Sequence, residues 1–224
     1  MGPNEWLYNA MYAGGFLVLF ALGELLYHIF KTPVEISRKF VHFGTGIITL
    51  SFPLVLTSHW SVLILSVSFI GLLIISLKFN LLKSINAIER ESLGSILYPV
   101  VIYLTYLCYQ QFGDVMYFYL PVLVLAISDP MAALCGKKWP YGTYKISKDK
   151  KTLVGSSAFF ISSFIICFCF APSLEKGWIQ AILIPLSIAL ISTLFEAISQ
   201  KGWDNFFIPA SVILTLAGWQ FLYY

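Results

Sequence analysis

The acidic and basic side chains of this sequence lie in short groups at the ends of apolar runs. The densest group is the polar segment Ser128 to Ser157, which contains six of the fourteen lysine and arginine residues. It opens with an aspartate followed by proline and closes with a Gly/Ser-rich stretch typical of a helix start. The free N–H groups of a helix start attract anions, and lysines neutralise them. This segment therefore predicts a site that holds phosphate groups beside an apolar environment.

Asp129 is the ionisable side chain of this segment that falls within an apolar run. A charged group inside a membrane is unfavourable unless it is paired, hydrated or bound to a cation. Pro130 follows at once, and a proline removes a helical N–H donor and breaks or kinks the helix. We expect a broken helix with the Asp129 carboxylate at the break, where it would bind Mg2+. The alternative is an aspartate that caps a helix near the membrane surface.

The end of the same segment predicts the anion site itself. Lys151, Thr152, Gly155 and Ser156 precede or begin the next apolar run. The unpaired N–H groups of that helix start would face the phosphates, and Gly155 would let a phosphate approach the backbone. The stretch does not match the P-loop pattern G-x-x-x-x-G-K-[ST]. A basic anchor in front of a membrane span is the alternative.

A second group, EISRKFVH, contains four ionisable side chains with helical spacing. Glu35, Arg38, Lys39 and His42 stand at positions i, i+3, i+4 and i+7. A helix would present all four on one face, so that a carboxylate, two cations and an imidazole converge at one end of a span. The alternative is an interfacial helix whose cations bind lipid headgroups and whose Glu35 pairs with Lys39.

Two further groups precede other apolar runs. The segment FEAISQKGWDNFFIP places Glu196, Asp204 and Asn205 around a glycine-containing turn. Two carboxylates and an amide oxygen suit Mg2+ when substrate phosphates supply other ligands, so they would complete a cation site with the aspartate of the first group. A capped turn with Asp204 as N-cap is the alternative. In IERESLGSILYP, Glu89 and Arg90 are additional site candidates, although a capped helix start also explains this segment.

Composition predicts the setting of these groups. The chain of 224 residues is 58% hydrophobic and only 11% charged, which excludes a soluble globular protein and predicts an integral membrane protein. The long apolar runs predict an all-α, polytopic transmembrane bundle of about eight spans, with seven or nine possible, in one domain covering residues 1–224. The runs are Trp6 to Tyr27, Phe40 to Leu56, Trp60 to Leu77, Leu93 to Tyr109, Val115 to Leu134, Leu153 to Phe170, Ile179 to Ala197 and Phe206 to Phe221.

The distribution of basic residues predicts the orientation of the bundle. Thirteen of the fourteen lysines and arginines lie in the connections between runs one and two, three and four, five and six, and seven and eight. Lys176 lies between runs six and seven, on the opposite side of the membrane. By the positive-inside rule, both termini should face the non-cytoplasmic side and all four polar groups the cytoplasm. The net charge of +3 is ordinary for a protein in contact with anionic lipids and gives no reason to expect nucleic-acid binding.

Five short segments occur in a fixed order between about Glu35 and Pro209: EISRKFVHFGTG, ERESLGSILYP, SDPMAALCGKK, KTLVGSSAFF and FEAISQKGWDNFFIP. This ordered set resembles the CTP-dependent lipid kinase family that contains phytol kinase, dolichol kinase and the CTP-using diacylglycerol kinase. It is most similar to the compact phytol kinase type. The related phosphatidate cytidylyltransferases carry paired aspartates around an arginine after a Gly-rich stretch, a signature that this sequence lacks.

The resemblance implies transfer of the γ-phosphoryl group of CTP, or another nucleoside triphosphate, to the hydroxyl of a membrane lipid alcohol. An isoprenoid alcohol such as phytol, farnesol or a polyprenol is favoured, and Mg2+ is the implied cofactor. Phosphoryl transfer depends on positioning and charge neutralisation. We therefore assign Asp129, Asp204 and Glu196 as metal ligands, and His42, Asp129 or Glu196 as general base. The assigned phosphate-binding residues are Arg38, Lys39, Lys137, Lys138, Lys151, Thr152, Gly155 and Ser156, with Glu35, Glu89, Arg90 and Asn205 as further candidates.

Three other functions remain open at the level of the sequence. A cytidylyltransferase that forms a CDP-lipid would use the same nucleotide, but it would release pyrophosphate where a kinase releases CDP. A diacylglycerol kinase would use a different acceptor. A small transporter would also place acids and broken helices in its spans, yet its polar groups would lie near the midplane and not at one face.

Overall fold

The computed structural model describes residues 4–79, 81–86, 93–146, 149–174 and 177–223. It is 82% helical. The helices are α1 (Glu5–His28), α2 (Val34–Thr49), α3 (Phe52–Val55), α4 (His59–Lys78), α5 (Lys83–Asn86), α6 (Gly94–Phe112), α7 (Met116–Leu123), α8 (Asp129–Lys138), α9 (Leu153–Cys169), α10 (Trp178–Ile198) and α11 (Asp204–Tyr223). A π-helical turn, Val124–Ser128, joins α7 to α8, and a hairpin of β1 (Thr143–Ile146) and β2 (Asp149–Thr152) joins α8 to α9.

Each of the eight apolar runs forms a helix or consecutive helices, so the prediction of an all-α fold is confirmed. Five helical segments of the described chain are long and apolar enough to cross a membrane: α1, α4, the rod formed by α7 and α8, α10 and α11. Helix α9 is apolar but shorter. Helix α6 and the pair α2–α3 form the remaining runs. The count of eight spans and the side on which the termini lie stay predictions.

Helices α1 and α4 run in the same direction and α6 runs back, which gives the bundle two distinct ends. At one end, the start of α1 meets the start of α4, because the Glu5 carboxylate accepts a hydrogen bond from the backbone N–H of Ser58 at 2.9 Å. The end of α6 reaches the same place, where Gln110 donates to the carbonyl of Thr57 at 3.2 Å. We call this the Glu5 end, and the opposite end, where α2, α9 and α11 begin, the site end.

The rod of α7, the π-helical turn and α8 lies at the centre of the bundle. It contacts α2, α6, α9 and α11. Phe118, Leu120 and Leu125 of this rod are fully buried. Asp129 stands directly after the π-helical turn and is 4% exposed, so it is surrounded by protein and not by lipid.

The hairpin of β1 and β2 leads into α9 and places Lys151 at the start of that helix. Its strands are antiparallel, with Thr143 opposite Thr152 and Tyr144 opposite Lys151. The hydroxyl of Tyr144 lies 2.6 Å from the hydroxyl of Ser156 in α9. Strand β2 is thus fixed both to β1 and to the helix that it enters, so Lys151 has a defined position at the site end.

Candidate active site

A polar cavity of about 670 Å3 opens at the site end between α2, α8, β2, α10 and the start of α11. It brings together side chains that are far apart in the sequence. Most of the residues assigned to the site line it: Glu35, Arg38, Lys39, Asp129, Lys137, Lys151, Thr152, Gly155, Ser156, Glu196 and Asp204.

Asp129 and Lys39 form a buried ion pair at the base of this cavity. The Lys39 ammonium donates a short hydrogen bond to Oδ2 of Asp129. Asp129 is 4% exposed and Lys39 is 8% exposed. An uncompensated charge at such a depth is strongly destabilising, so the two charges compensate each other. The alternative in which Glu35 pairs with Lys39 is not found, because Glu35 instead accepts a hydrogen bond from Arg38 at 2.9 Å.

The helix does not break at Asp129, contrary to the expectation from Pro130. It continues from the π-helical turn Val124–Ser128 directly into α8. In a π-helical turn, a carbonyl accepts a hydrogen bond from the N–H of the residue five positions later. For Leu125 that residue is Pro130, which has no N–H to donate. The Leu125 carbonyl accepts a hydrogen bond from His42 Nε2 instead, at 3.0 Å. The proline thus creates a docking point for His42 and does not interrupt the helix.

This hydrogen bond determines how His42 is protonated when it is neutral. A carbonyl oxygen only accepts, so Nε2 must carry the proton and Nδ1 the lone pair. His42 Nε2 also lies 3.7 Å from Oδ2 of Asp129. The ring packs edge-on against Tyr98 with centroids 4.6 Å apart, which fixes its orientation.

Glu196 and Lys151 form a second ion pair across the cavity. The Lys151 ammonium lies 2.5 Å from Oε1 of Glu196 and also donates to the backbone carbonyl of that residue. Glu196 is 6% exposed. Its second oxygen, Oε2, is buried and has no hydrogen-bond partner among the described residues. A buried carboxylate oxygen without a hydrogen-bond partner is uncommon and is a candidate for binding a cation.

Asp204 begins α11 and faces both ion pairs. Its Oδ1 accepts a hydrogen bond from the backbone N–H of Asn205 at 3.0 Å, and the Asn205 amide donates to the carbonyl of Gly94 at 2.7 Å. The preceding turn has left-handed backbone at Lys201 and Gly202, with φ of 52° and 86°. Asn205 thus fastens α11 to α6, which explains this residue without a ligand.

The three carboxylates that the sequence assigns to a metal ion therefore face one cavity, but lysines hold two of them. Asp129 and Asp204 lie close enough to Glu196 for their charges to interact. In the described part of the chain, no three His, Cys, Asp or Glu side chains form a ready metal-binding cluster. The carboxylate oxygens and the unpartnered Oε2 of Glu196 are nevertheless suitable donors for Mg2+, which prefers oxygen ligands. Asp129 and Glu196 could offer these oxygens to a metal ion only if Lys39 and Lys151 moved away from them.

The start of α9 differs from the predicted phosphate cradle. Thr152 caps the helix by accepting a hydrogen bond from the Gly155 N–H at 3.0 Å, so that N–H is already used. A Cβ at Gly155 would lie 2.9 Å from the carbonyl of Ala132 and 3.5 Å from the Cα of Gly136. Gly155 thus permits close packing of α9 on α8, which gives its small size a structural reason.

The remaining assigned residues are distributed around this centre. His42 and Asn205 line a neighbouring apolar pocket and not the polar cavity. Lys138 lines neither, because its ammonium lies over the ring of Trp139, 4.6 Å from the centroid. Glu89 and Arg90 lie outside the described residues. Several cavity residues next to the assigned ones were not predicted from the sequence: Lys150, Ser199, Gln200, Lys201 and Gly202.

The apolar pocket, of about 110 Å3, extends from the polar cavity into the bundle. Its walls come from α1, α2, α4 and α6, with Phe20, Phe69 and Tyr98 among the wall residues. Four residues line both spaces: Arg38, Lys39, Gly202 and Asp204. A water-accessible, charged cavity and a pocket with apolar walls thus meet at two cations and a carboxylate.

The fold and this pair of cavities define a helical membrane protein with a basic cavity joined to an apolar pocket. The chain is similar to the phytol kinase of Synechocystis sp., with 27% identity over 196 residues, which are 87% of this chain and 84% of the Synechocystis protein. The prediction of a phytol kinase-like family from the five segments is thereby confirmed at the level of the family. No family model matches the chain, and no solved structure matches it.

Proposed function

We propose that this protein transfers the γ-phosphoryl group of a nucleoside triphosphate, with CTP as the first candidate, to the hydroxyl of a membrane lipid alcohol. The observation that carries the proposal is the junction of the two cavities at Arg38, Lys39, Gly202 and Asp204. A kinase of this kind must bring a water-borne nucleotide and a membrane-borne hydroxyl to one point. The similarity to a phytol kinase supports the same reaction class.

The charge of the polar cavity suits a nucleotide. Among the described residues that line it, six are cationic and four are carboxylates, which leaves a formal excess of two positive charges. Arg38 is paired with Glu35 through one terminal nitrogen, while its buried Nε has no hydrogen-bond partner within the described chain. Hydrogen bonds from cations to phosphate oxygens are stronger than those between neutral groups. The cavity would therefore hold the triphosphate, with Lys137 and Lys151 among its contacts.

The apolar pocket suits the alcohol. Its volume of about 110 Å3 gives room for on the order of eight water-sized groups. It would enclose the hydroxyl end of a single isoprenoid chain and leave the rest of the chain in the membrane. The acceptor hydroxyl would then lie at the junction, next to His42 on the pocket side.

The residues divide the chemistry between them. His42 is the proposed base, because its Nε2 is occupied by the Leu125 carbonyl and its Nδ1 carries the lone pair that accepts the hydroxyl proton. Lys39, Arg38 and Lys151 would orient the triphosphate and neutralise its charge. Asp129, Glu196 and Asp204 would hold Mg2+, which when bound would neutralise charge on the phosphate oxygens.

The direct test is an assay of purified protein in detergent with Mg2+, CTP labelled on the γ-phosphate, and a panel of phytol, farnesol, geranylgeraniol, a polyprenol and diacylglycerol. Label in the lipid together with release of CDP is the expected result. Release of pyrophosphate with a CDP-lipid as product would identify a cytidylyltransferase. No labelled product with any alcohol, from protein shown to be folded and with γ-labelled UTP or ATP also tried in place of CTP, would overturn the proposal.

The acceptor side has its own test at Thr45, which lines the apolar pocket. Thr45→Phe should narrow the pocket and raise the KM for the alcohol by about 10-fold or more, since misfit in an apolar pocket is worth about 1–3 kcal/mol. The KM for the nucleotide should change little. Ile47→Phe is the matched control, because Ile47 lies on the same helix with its side chain 43% exposed. Equal effects of the two substitutions on the alcohol would argue against this pocket.

A further inference from the structure

We propose that the two lysine–carboxylate pairs of the polar cavity form a cation-exchange device. Asp129 and Glu196 would bind a divalent cation only together with a nucleoside triphosphate. The phosphates of the nucleotide would bind Lys39 and Lys151 and so release the two carboxylates. The inference rests on the proposed function in one respect, that the anionic ligand is a nucleoside triphosphate. It assigns each lysine two successive partners, a carboxylate before the nucleotide binds and a phosphate afterwards.

The lysines occupy atoms that a cation would need. Lys39 donates to Oδ2 of Asp129, and Lys151 lies 2.5 Å from Oε1 of Glu196. A free divalent cation would have to displace both ammonium groups and leave them in a buried place without an anion, which is strongly unfavourable. A nucleotide removes this obstacle, because its phosphate oxygens offer each displaced ammonium a new anionic partner.

The overall charge of the cavity acts in the same direction. Its described lining has a formal excess of two positive charges. The cavity therefore repels a free divalent cation. A complex of the cation with a nucleoside triphosphate carries a net negative charge and is attracted. Cation and nucleotide should therefore bind together and not one after the other.

Two local features allow the exchange without movement of helices. A lysine ammonium ends a flexible four-carbon stem, so it can swing from a carboxylate to a phosphate while its backbone stays in place. Glu196 also keeps one oxygen, Oε2, buried and unpartnered among the described residues. Lys151 contacts the other oxygen, Oε1, so Oε2 could coordinate a cation directly. No hydrogen bond within the described chain gives Oε2 a structural role.

The test uses Mn2+ as the probe and measures its binding to the purified protein by electron paramagnetic resonance, without any alcohol. Binding is compared with and without β,γ-methylene-CTP, which cannot transfer its γ-phosphoryl group. Free Mn2+ should bind weakly, and the nucleotide analogue should tighten Mn2+ binding by a factor within the usual range of about 5- to 150-fold for coupled ligands. By reciprocity, Mn2+ should tighten binding of the analogue by the same factor.

Substitutions of the lysines sharpen the test. Lys39→Met and Lys151→Met each remove one of the two obstacles, so each should tighten the binding of free Mn2+ and reduce the coupling factor. Lys78→Met is the matched control, since Lys78 is exposed at the end of α4 and lines neither cavity, and it should leave the coupling unchanged. If a methionine variant does not fold, the comparison in the unsubstituted protein decides by itself.

The outcomes separate this inference from the proposed kinase activity. Equally tight Mn2+ binding with and without the analogue would overturn the exchange, even if the protein phosphorylates alcohols. Absence of Mn2+ binding under both conditions would overturn it as well. Coupled binding in a protein that phosphorylates no alcohol would support the exchange and remove the proposed reaction.

Discussion

The two ends of the bundle each bury carboxylates, and they satisfy them in different ways. At the Glu5 end, Glu5 is 3% exposed and accepts hydrogen bonds from the backbone N–H groups of Thr57 and Ser58 and from the hydroxyls of Thr57 and Ser61, at 2.8–3.0 Å. These neutral donors belong to the start of α4. At the site end, Asp129 and Glu196 are held by lysine side chains.

The difference separates a structural carboxylate from an exchangeable one. Backbone N–H groups at a helix start keep their positions while the helix is folded, so the donors that hold Glu5 to α4 cannot turn away from it as a side chain can. A lysine ammonium can leave its carboxylate if a better anion arrives. Burial alone therefore does not distinguish the acids that we propose as functional from Glu5, whereas the kind of partner does.

The largest effect should follow substitution of Asp129. Asp129→Asn keeps the size of the side chain but removes the charge that Lys39, and a metal ion, would use. We expect kcat to fall by about 10²- to 10³-fold or more, the usual loss when one electrostatic group of an active site is removed. Initial rates with labelled nucleotide, together with size-exclusion profiles in detergent, measure this. Near-normal turnover by a folded variant would exclude Asp129 from the chemistry.

A smaller effect is expected at Lys151. Lys151→Met should lower kcat/KM for the nucleotide by about 10- to 100-fold, because a hydrogen bond to a charged group contributes about 1.5–3 kcal/mol. Lys138→Met is the control, since Lys138 belongs to the same basic segment but lines neither cavity. If the two substitutions reduce kcat/KM equally, general attraction by basic residues would explain the result better than a specific contact.

Pro130→Ala should have a moderate effect through His42. The new N–H would compete with His42 for the Leu125 carbonyl, and one such hydrogen bond is worth about 0.5–1.5 kcal/mol. We expect kcat to fall by a few-fold to about tenfold, with the KM for the nucleotide nearly unchanged. Nitrogen NMR of the imidazole should show a mixture of tautomers in the variant and the Nε2–H form in the unsubstituted protein. An unchanged tautomer would show that Pro130 does not position His42.

Glu5→Gln should have the smallest effect on activity. It should lower the free energy of unfolding by about 1–2 kcal/mol, because hydrogen bonds to an ionised acceptor become bonds to a neutral one. Turnover of the folded fraction should be unchanged. Thermal unfolding in detergent and the specific activity of the folded protein give the two quantities. A loss of turnover without a loss of stability would show that the Glu5 end takes part in function.

Much of this architecture follows from local sequence. The eight apolar runs predicted the helices, and the spacing of Glu35, Arg38, Lys39 and His42 predicted the face that α2 turns toward the two cavities. These predictions depend on hydrophobicity and helical period, which neighbouring residues determine. The same local reasoning explains why Thr152 was placed correctly at a helix start.

The pairings across the site could not be predicted in this way. Lys39 and Asp129 are ninety residues apart, and their contact depends on how α2 packs against the central rod. The helix continues through Pro130 because a π-helical turn rearranges the backbone, which periodicity does not reveal. The walls of the apolar pocket could not be predicted either. In the sequence, Phe20 and Phe69 do not differ from phenylalanines that pack in a core or face lipid.

The most direct measurement compares Asp129→Asn and Glu5→Gln in one assay of phosphoryl transfer to an isoprenoid alcohol, with each rate divided by the amount of folded protein. Both variants remove one buried negative charge from opposite ends of the same bundle. We predict that Asp129→Asn loses nearly all transfer, while Glu5→Gln retains the rate of the unsubstituted protein. Equal rates for the two variants would contradict the assignment of the reaction to the site end.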